Sequence, residues 1–234
     1  MQRLHSSSDI MRFAVLFAIQ SIGFLFFSLR FGGWLWLLAW PACSFAFVSA
    51  AYFFNRPGML TKTKSGAVST WLSILIAPYF LMTWSVWWCV KYLSGEHAHD
   101  EIDGEFVLGR RLTFNEMPND IECVVDLTAE FSEPTAIRKN FRYVLYPILD
   151  GHEPPQLEPF QCFARELAES EERLFIHCAQ GHGRTGMLAV ALLLERGSSD
   201  SVEQALNMLQ ACRPKLRVNS AQRRFLDRYF EQRT

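Results

Sequence analysis

The sequence predicts an α/β domain on a mostly parallel sheet of four to five strands flanked by helices, preceded by an all-α transmembrane region of about three helices. Three observations carry that expectation. Apolar residues crowd the first 95 positions in three long stretches, short apolar runs alternate with helical patterns from Glu105 onward, and one of those runs leads directly into a glycine-bearing loop. The domain boundaries that follow are 1–95 for the membrane region, 96–104 for a linker and 105–234 for the α/β part.

The membrane stretches are 13–29, 31–54 and 67–90, against the roughly 20 apolar residues that a crossing helix needs. The second and third hold no charged residue and carry Trp34, Trp36, Trp84, Trp87 and Trp88 near their ends, as interfacial belts favour. The first is shorter and contains Gln20, so a signal-like or interfacial segment is its alternative. Three spans place Arg3, Arg12, Arg56, Lys62 and Lys64 on one side and only Arg30 and Lys91 on the other, which by the positive-inside rule puts the C-terminal part outside. The residues Ser94-Gly95-Glu96-His97-Ala98-His99-Asp100-Glu101 read as a polar linker. His97 and His99 have no further ligands at a known metal spacing, so no metal is expected there.

Charge divides the chain at the same place. Up to Gly95 seven basic residues face one acid, Asp9, whereas beyond it 16 basic residues are outnumbered by 23 acidic ones. An acidic C-terminal part excludes a nucleic-acid partner, because phosphate backbones are bound by clustered Lys and Arg. The six cysteines show no CxxC spacing, so a single reactive thiol among buried ones is expected rather than a zinc site or a disulfide framework.

In the second part, 105–108, 123–127, 143–148 and 174–177 read as strands, and 155–169, 185–195, 202–212 and 219–232 as helices. Asp200 with Glu203 offers a capping box for the third helix, and Pro214 lies beyond its end. Phe225, Leu226, Tyr229 and Phe230 form the inner face of the last helix.

The strand ending at His177 continues as Cys178-Ala179-Gln180-Gly181-His182-Gly183-Arg184-Thr185 and then enters a helix. Backbone N–H groups across 179–184 converge on an anion if the glycines permit the turn, and the following helix adds its positive end. A phosphate dianion fits such a cradle. The same field favours the ionised, nucleophilic form of the Cys178 sulfur. Arg184 adds a planar two-pronged donor for two phosphoryl oxygens.

The run His177-Cys178-Ala179-Gln180-Gly181-His182-Gly183-Arg184-Thr185-Gly186 resembles the HCxxGxxR[ST]G signature of the protein tyrosine and dual-specificity phosphatases. The resemblance extends from about Ile102 to the end, through Leu108-Gly109 and Arg213-Pro214, Asn219 and Gln222, and leaves the membrane region outside it. It implies a dual-specificity phosphatase-like fold, attack of Cys178 on phosphorus, a phosphoryl group held by Arg184, assistance from the Thr185 hydroxyl as sulfur leaves, and a loop supported by His177. Ala179, Gln180, Gly181, His182 and Gly183 would cradle the phosphate, without metal or cofactor. A general acid is also implied upstream, and Asp150, before Gly151 and among prolines, is the first candidate, with Asp126 second. His152 and His182 read as solvated loop residues.

The chain is shorter than a classical tyrosine-specific domain and has no evident cleft-deepening loop, which points to a shallow pocket. The expected activity is hydrolysis of phosphomonoesters by an integral, multi-pass membrane protein, on a phosphorylated protein or a phospholipid headgroup beside the lipid bilayer. The loop lacks the lysines of the inositol-polyphosphate lipid phosphatases. A phosphate-binding scaffold without turnover and a rhodanese-like sulfurtransferase are the alternatives. Oligomeric state and the membrane face of the catalytic part stay open at this level.

Overall fold

The computed structural model describes residues 2–60, 62, 63, 65–67, 70–102 and 104–233, with side chains from Met11 onward. The Arg3 side chain, Lys64, and Val68 and Ser69 of the third apolar stretch therefore lie outside the described residues. Helix α1 (Gln2–Phe31) runs for 30 residues, and after a 3-10 stretch at Gly33–Leu38 helix α2 (Ala39–Phe53) returns along it. Helices α3 (Thr70–Leu75) and α4 (Ala77–Leu93) follow.

Two segments, Met11–Phe31 and Gly33–Phe53, are long and apolar enough to cross a membrane by length and composition. The third expected span is not one helix. The chain breaks at Ile76 and restarts with Pro78 in the first turn of α4, the one place in a helix where a missing N–H costs little, leaving a helix of 17 residues.

The helix ends also alternate differently from three successive crossings. Phe13 of α1 lies against Gly151, Asn55 just after α2 donates to the Glu153 carbonyl at 3.2 Å, and Trp87 of α4 donates to the Ala179 carbonyl at 3.1 Å. At the opposite end the Trp40 indole donates to the Ile74 carbonyl at 3.0 Å. The start of α1 thus sits beside the α/β unit, not across the helical layer from it as three spans would require.

The sheet has the order β1 (His99–Ile102), β2 (Phe106–Arg110), β5 (Leu174–Cys178), β3 (Cys123–Thr128), β4 (Arg142–Ile148), parallel except for the antiparallel pair β1–β2. Strands β3 and β5 are buried along their whole length, as apolar strands of a parallel sheet covered on both faces should be. Helices α6 (Leu157–Ala168), α7 (Gly183–Glu195), α8 (Val202–Cys212) and α9 (Ser220–Glu231) pack with α7 at their centre. Every residue from Arg184 to Leu194 is buried, which marks α7 as a core helix. A short helix α5 (Thr135–Asn140), not expected from the sequence, joins β3 to β4.

Three local expectations are corrected. His99–Ile102 is an edge strand inside the segment expected to be linker. The cap of α8 is Ser201, whose side chain accepts from the Gln204 N–H, not Asp200. Phe230 is exposed, while Phe225, Leu226 and Tyr229 form the buried face of α9.

Candidate active site

Strand β5 is the central strand, and Cys178 is its last residue, so the loop that follows opens at the carboxyl edge of the sheet, where open parallel sheets bind ligands. Cys178 is buried and its sulfur accepts the Gly181 N–H at 3.2 Å, which bends the loop back over the thiol. Gly181 has φ of 73°, and a Cβ there would lie 2.5 Å from the Gly109 backbone of β2, so only glycine lets loop and strand approach this closely. The outward carbonyls are held from several directions. Ala179 O accepts from Trp87 Nε1 and from the Arg111 N–H, and Arg213 donates to Gly181 O at 2.9 Å and Gln180 O at 3.2 Å. With the carbonyls tied outward, the loop N–H groups are left for the interior, as an anion cradle requires.

Arg184, in the first turn of α7, is buried with its fork on Glu130, Nη1 to Oε2 at 2.9 Å and Nη2 to Oε1 at 2.8 Å. Nη1 also donates to the Ile148 carbonyl at 3.0 Å, and Nη2 lies 3.1 Å from Asp150 Oδ1. Glu130 escaped the sequence reading. It follows β3 and meets Arg184 only across 54 positions, with no local pattern to mark it. The Thr185 hydroxyl is buried and has no hydrogen-bond partner among the described residues.

The Asp150 loop is anchored from both sides. His152 is buried, with Nε2 3.2 Å from the Tyr52 carbonyl of α2 and its ring edge-on to Tyr52. Asn219 and Gln222, which form the capping box of α9, donate to the carbonyls of Gly151 at 2.8 Å and His152 at 3.2 Å. The expected solvated His152 is therefore a structural pin. Burial holds its pKa below the ordinary 6.5. His182 is also engaged, with Nε2 2.7 Å from Glu96 Oε2. Burial alone would raise the Glu96 pKa, but His182 and Lys215 outweigh it and keep that carboxyl below its usual range.

Beneath the loop lies a second buried network. The register pairs Asp126 of β3 with His177 of β5. Asp126 accepts from the Lys62 ammonium, from Tyr143 Oη at 2.7 Å and from the Thr128 N–H and hydroxyl, both at 2.7 Å. Its carboxyl would be raised by burial, but Lys62 foremost pulls it well below the ordinary carboxylate range. Asp126 does not line the cavity that contains Cys178, whereas Asp150 does. The His177 ring stacks on Phe175 with centroids 5.4 Å apart and approaches Glu133 at 4.0 Å. Asp126, Glu133 and His177 offer ligand atoms within 4.8 Å of one another, but the Lys62 ammonium already occupies Asp126.

Among the described residues neither buried Glu133 oxygen has a hydrogen-bond donor, although Arg111 Nε lies 3.4 Å from Oε2, and burial, with Asp126 adding to it, outweighs Arg111 and pushes this carboxyl up to about 8. Between its ordinary 4.5 and about 8 the folded chain keeps a proton that the unfolded chain has lost, so stability falls as pH rises through that window. Burial lowers His177 from 6.5 to about 4, which makes stability rise with pH over that lower interval. The two offset each other below 6.5, leaving a net decline from about 6.5 to about 8. Glu133→Gln is expected to remove that decline in thermal unfolding of the full chain, and a decline of unchanged size would contradict the assignment.

The loop is not shallowly exposed. A cavity of about 510 Å³ joins Cys178, Ala179, Gln180 and Gly183 to Phe13, Leu16 and Phe17 of α1, Tyr52 of α2, and Met82, Val86 and Val90 of α4. The expectation of a shallow pocket fails because its walls come from the N-terminal helices. Trp84 and Trp87 of α4 are fixed over the Arg111 guanidinium, with ring centroids 4.8 and 5.7 Å away, and Trp84 packs edge-on to Phe131. None of the six cysteines is in a disulfide, and of the six only Cys123 and Cys178 are buried, so the expectation of several buried thiols is also too broad.

A family model described as the catalytic domain of dual specificity phosphatases matches residues 113–232. A curated relative, "Putative tyrosine phosphatase 197R" of Invertebrate iridescent virus 6, is 34% identical over 82 residues, 31% of this chain and 31% of that protein. The match thus spans about a third of that relative's length. Among solved structures, the crystal structure of Tk-PTP in the active form is similar at a TM-score of 0.50 with 24% identity, over 58% of this chain and 97% of that one, a likeness of fold.

Proposed function

The chain belongs to the dual-specificity phosphatase family, and from that premise we propose that it hydrolyses phosphomonoesters through a cysteinyl-phosphate intermediate on Cys178. The observation that carries this reading is the Cys178 sulfur enclosed by its own loop beside the Arg184 fork, at the floor of a cavity open to a substrate. The cavity's sulfur attacks phosphorus, a P–S bond forms and the P–O bond to the leaving group breaks. Arg184 holds two phosphoryl oxygens, its charge meeting the charge that spreads over them. The entering phosphate, as its monoanion, displaces Asp150 from Arg184 Nη2 and passes its proton to that carboxylate, which then gives it to the leaving oxygen. Water, activated by the same carboxylate, attacks phosphorus, the P–S bond breaks, and the sulfur leaves as thiolate with the Thr185 hydroxyl beside it. His177 acts below the loop as support, stacked on Phe175, and Ala179, Gln180, Gly181, His182 and Gly183 supply the cradle.

The same proposal includes a membrane anchor of α1 and α2, with α4 beside them, joined to a catalytic part that begins near His99. Arg12, Arg56, Lys62 and Lys91 then stand at the end next to the catalytic part and Arg30 at the other. The positive-inside rule accordingly puts the catalytic part on the cytoplasmic face, where reducing conditions preserve a thiol. Three spans would instead put the catalytic part outside, where oxidising conditions drive thiols toward disulfides.

Asp150→Asn is expected to slow hydrolysis of alkyl phosphates by about 10²–10⁴-fold while costing a nitrophenyl ester far less, since nitrophenolate leaves without a proton. Steady-state rates of the full chain on both esters, with vanadate as inhibitor and a chelator as control, test the reading. Equal losses on both esters would remove Asp150 as the acid, and inhibition by the chelator would contradict a metal-free cysteine mechanism.

A further inference from the structure

The wall opposite the catalytic loop raises the question of what lies along it during turnover. Helix α1 packs along α2 and α2 against α4, while α1 meets α4 through side chains such as Gln20, Nε2 3.9 Å from Met82 Sδ, and Phe17, edge-on to Tyr79 at 5.5 Å, with open space on either side. The Cys178 cavity occupies the near end of that space. A second cavity of about 490 Å³ continues it, lined by Gly23, Phe24 and Phe27 of α1, Phe45 of α2 and Leu81 of α4, and shares Met82 with the first. The α1 residues that line the two cavities, from Phe13 to Phe27, span about 21 Å at 1.5 Å per residue, more than the roughly 15 Å of one leaflet's hydrocarbon. Its rims, Leu16, Phe27, Leu81 and Val86, are exposed apolar side chains, so the groove opens sideways between the helices.

A groove with the Cys178 thiol and its loop at one end, where Arg184 stands behind the lining, and walls that are apolar apart from Gln20 at the other matches one kind of molecule. We infer that the substrate is a membrane lipid whose headgroup is a bare or small phosphomonoester, its hydrocarbon chain lying between α1 and α4 while the phosphate reaches Cys178. This deepens the phosphatase reading and rests on it. A phosphopeptide gives no account of the second cavity, whose lining side chains are apolar apart from Gln20. A small headgroup also agrees with a loop that lacks lysines for further phosphates.

The test uses the full chain in phosphatidylcholine bilayers with butyl phosphate, hexadecyl phosphate, nitrophenyl phosphate and a phosphotyrosine peptide as substrates. Gly23→Leu fills the groove far from the loop. A Cβ at Gly23 meets nothing within 4 Å, and leucine favours the helix more than glycine does. Val86→Trp narrows the groove from the other wall, and Ile22→Ala, on the exposed face of α1, is the control. The expected result is a preference of the wild-type chain for hexadecyl over butyl phosphate that falls about tenfold in Gly23→Leu, the effect of excluding roughly two methylene groups, and stays put in Ile22→Ala. Partition into the bilayer is common to all these proteins, so only groove occupancy changes the ratio between them. An equal ratio in all of them, or a phosphopeptide turned over faster than hexadecyl phosphate, overturns the inference while nitrophenyl phosphate turnover keeps the phosphatase reading. Absence of all turnover overturns both.

Discussion

Cys178→Ser is expected to bring nitrophenyl phosphate hydrolysis down to the uncatalysed background while leaving the fold and the affinity for inorganic phosphate in place. The substitution exchanges one second-row atom for a first-row atom at a buried position whose neighbours, the Gly181 N–H above all, remain. On the proposed reading the cradle of amides and the Arg184 fork bind an anion irrespective of the nucleophile, so binding is expected to survive. Attack does not, because a hydroxyl is a far weaker nucleophile toward phosphorus than the sulfur it replaces. Steady-state rates together with phosphate binding by calorimetry measure both halves. A serine variant that turns over at the wild-type rate contradicts the proposed nucleophile, and one that loses phosphate binding as well shows a collapsed loop.

Glu130→Gln carries the second large effect. Both oxygens of Glu130 accept from the Arg184 fork, and the two side chains are buried with exposures of 4% and 1%. Removing one charge from such a pair leaves the other desolvated and uncompensated, a loss of about 3–5 kcal/mol. Asp150, at 3.1 Å, is the only other carboxylate paired with Arg184 among the described residues, and its side chain is half exposed. Glutamine retains one acceptor for the fork, so the guanidinium also loses its fixed orientation toward the phosphoryl oxygens. The expected outcome is a lower thermal midpoint together with a kcat loss of about 10²–10³-fold, the usual cost of a misplaced transition-state donor. Added inorganic phosphate should restore part of the midpoint, since it supplies the missing negative charge to Arg184. A variant as stable and as active as the wild type would show that Glu130 does not set the position of Arg184.

Parts of this arrangement were legible in the sequence for clear reasons. The β3 and β5 strands are covered on both faces, which leaves an unbroken apolar signature, and the phosphate loop is contiguous, so one stretch of chain displays cysteine, glycines and arginine together. Asn219 and Gln222 were visible as part of a family-like ending, but their hold on the Asp150 loop depends on a contact 68 to 70 positions away. Glu130 and Lys62 were hidden for the same reason. Each is a lone charged residue whose partner lies 54 or 64 positions off, and Lys62 comes from outside the part that resembles the family.

Other differences arise from tertiary context overriding local cues. His99-Asp100-Glu101-Ile102 reads as linker because an edge strand needs no apolar alternation, and pairing with β2 alone makes it a strand. His152 sits in a turn-like sequence yet is buried by Tyr52, a residue from the helical region. The break before α4 was written in Pro78, but hydropathy over a long window averages across a proline. The depth of the catalytic pocket had no sequence signal at all, since its walls and its floor belong to parts of the chain that differ in composition and charge.

The most direct test of the central claim is a rapid acid quench of the full chain during turnover of an aryl phosphate, followed by mass spectrometry of its peptides. The account predicts one phosphoryl group on the peptide that carries Cys178, formed before free phosphate appears and absent from Cys178→Ser. A phosphoryl group found on any other residue, or phosphate released at the wild-type rate with none on that peptide at any quench time, would contradict it.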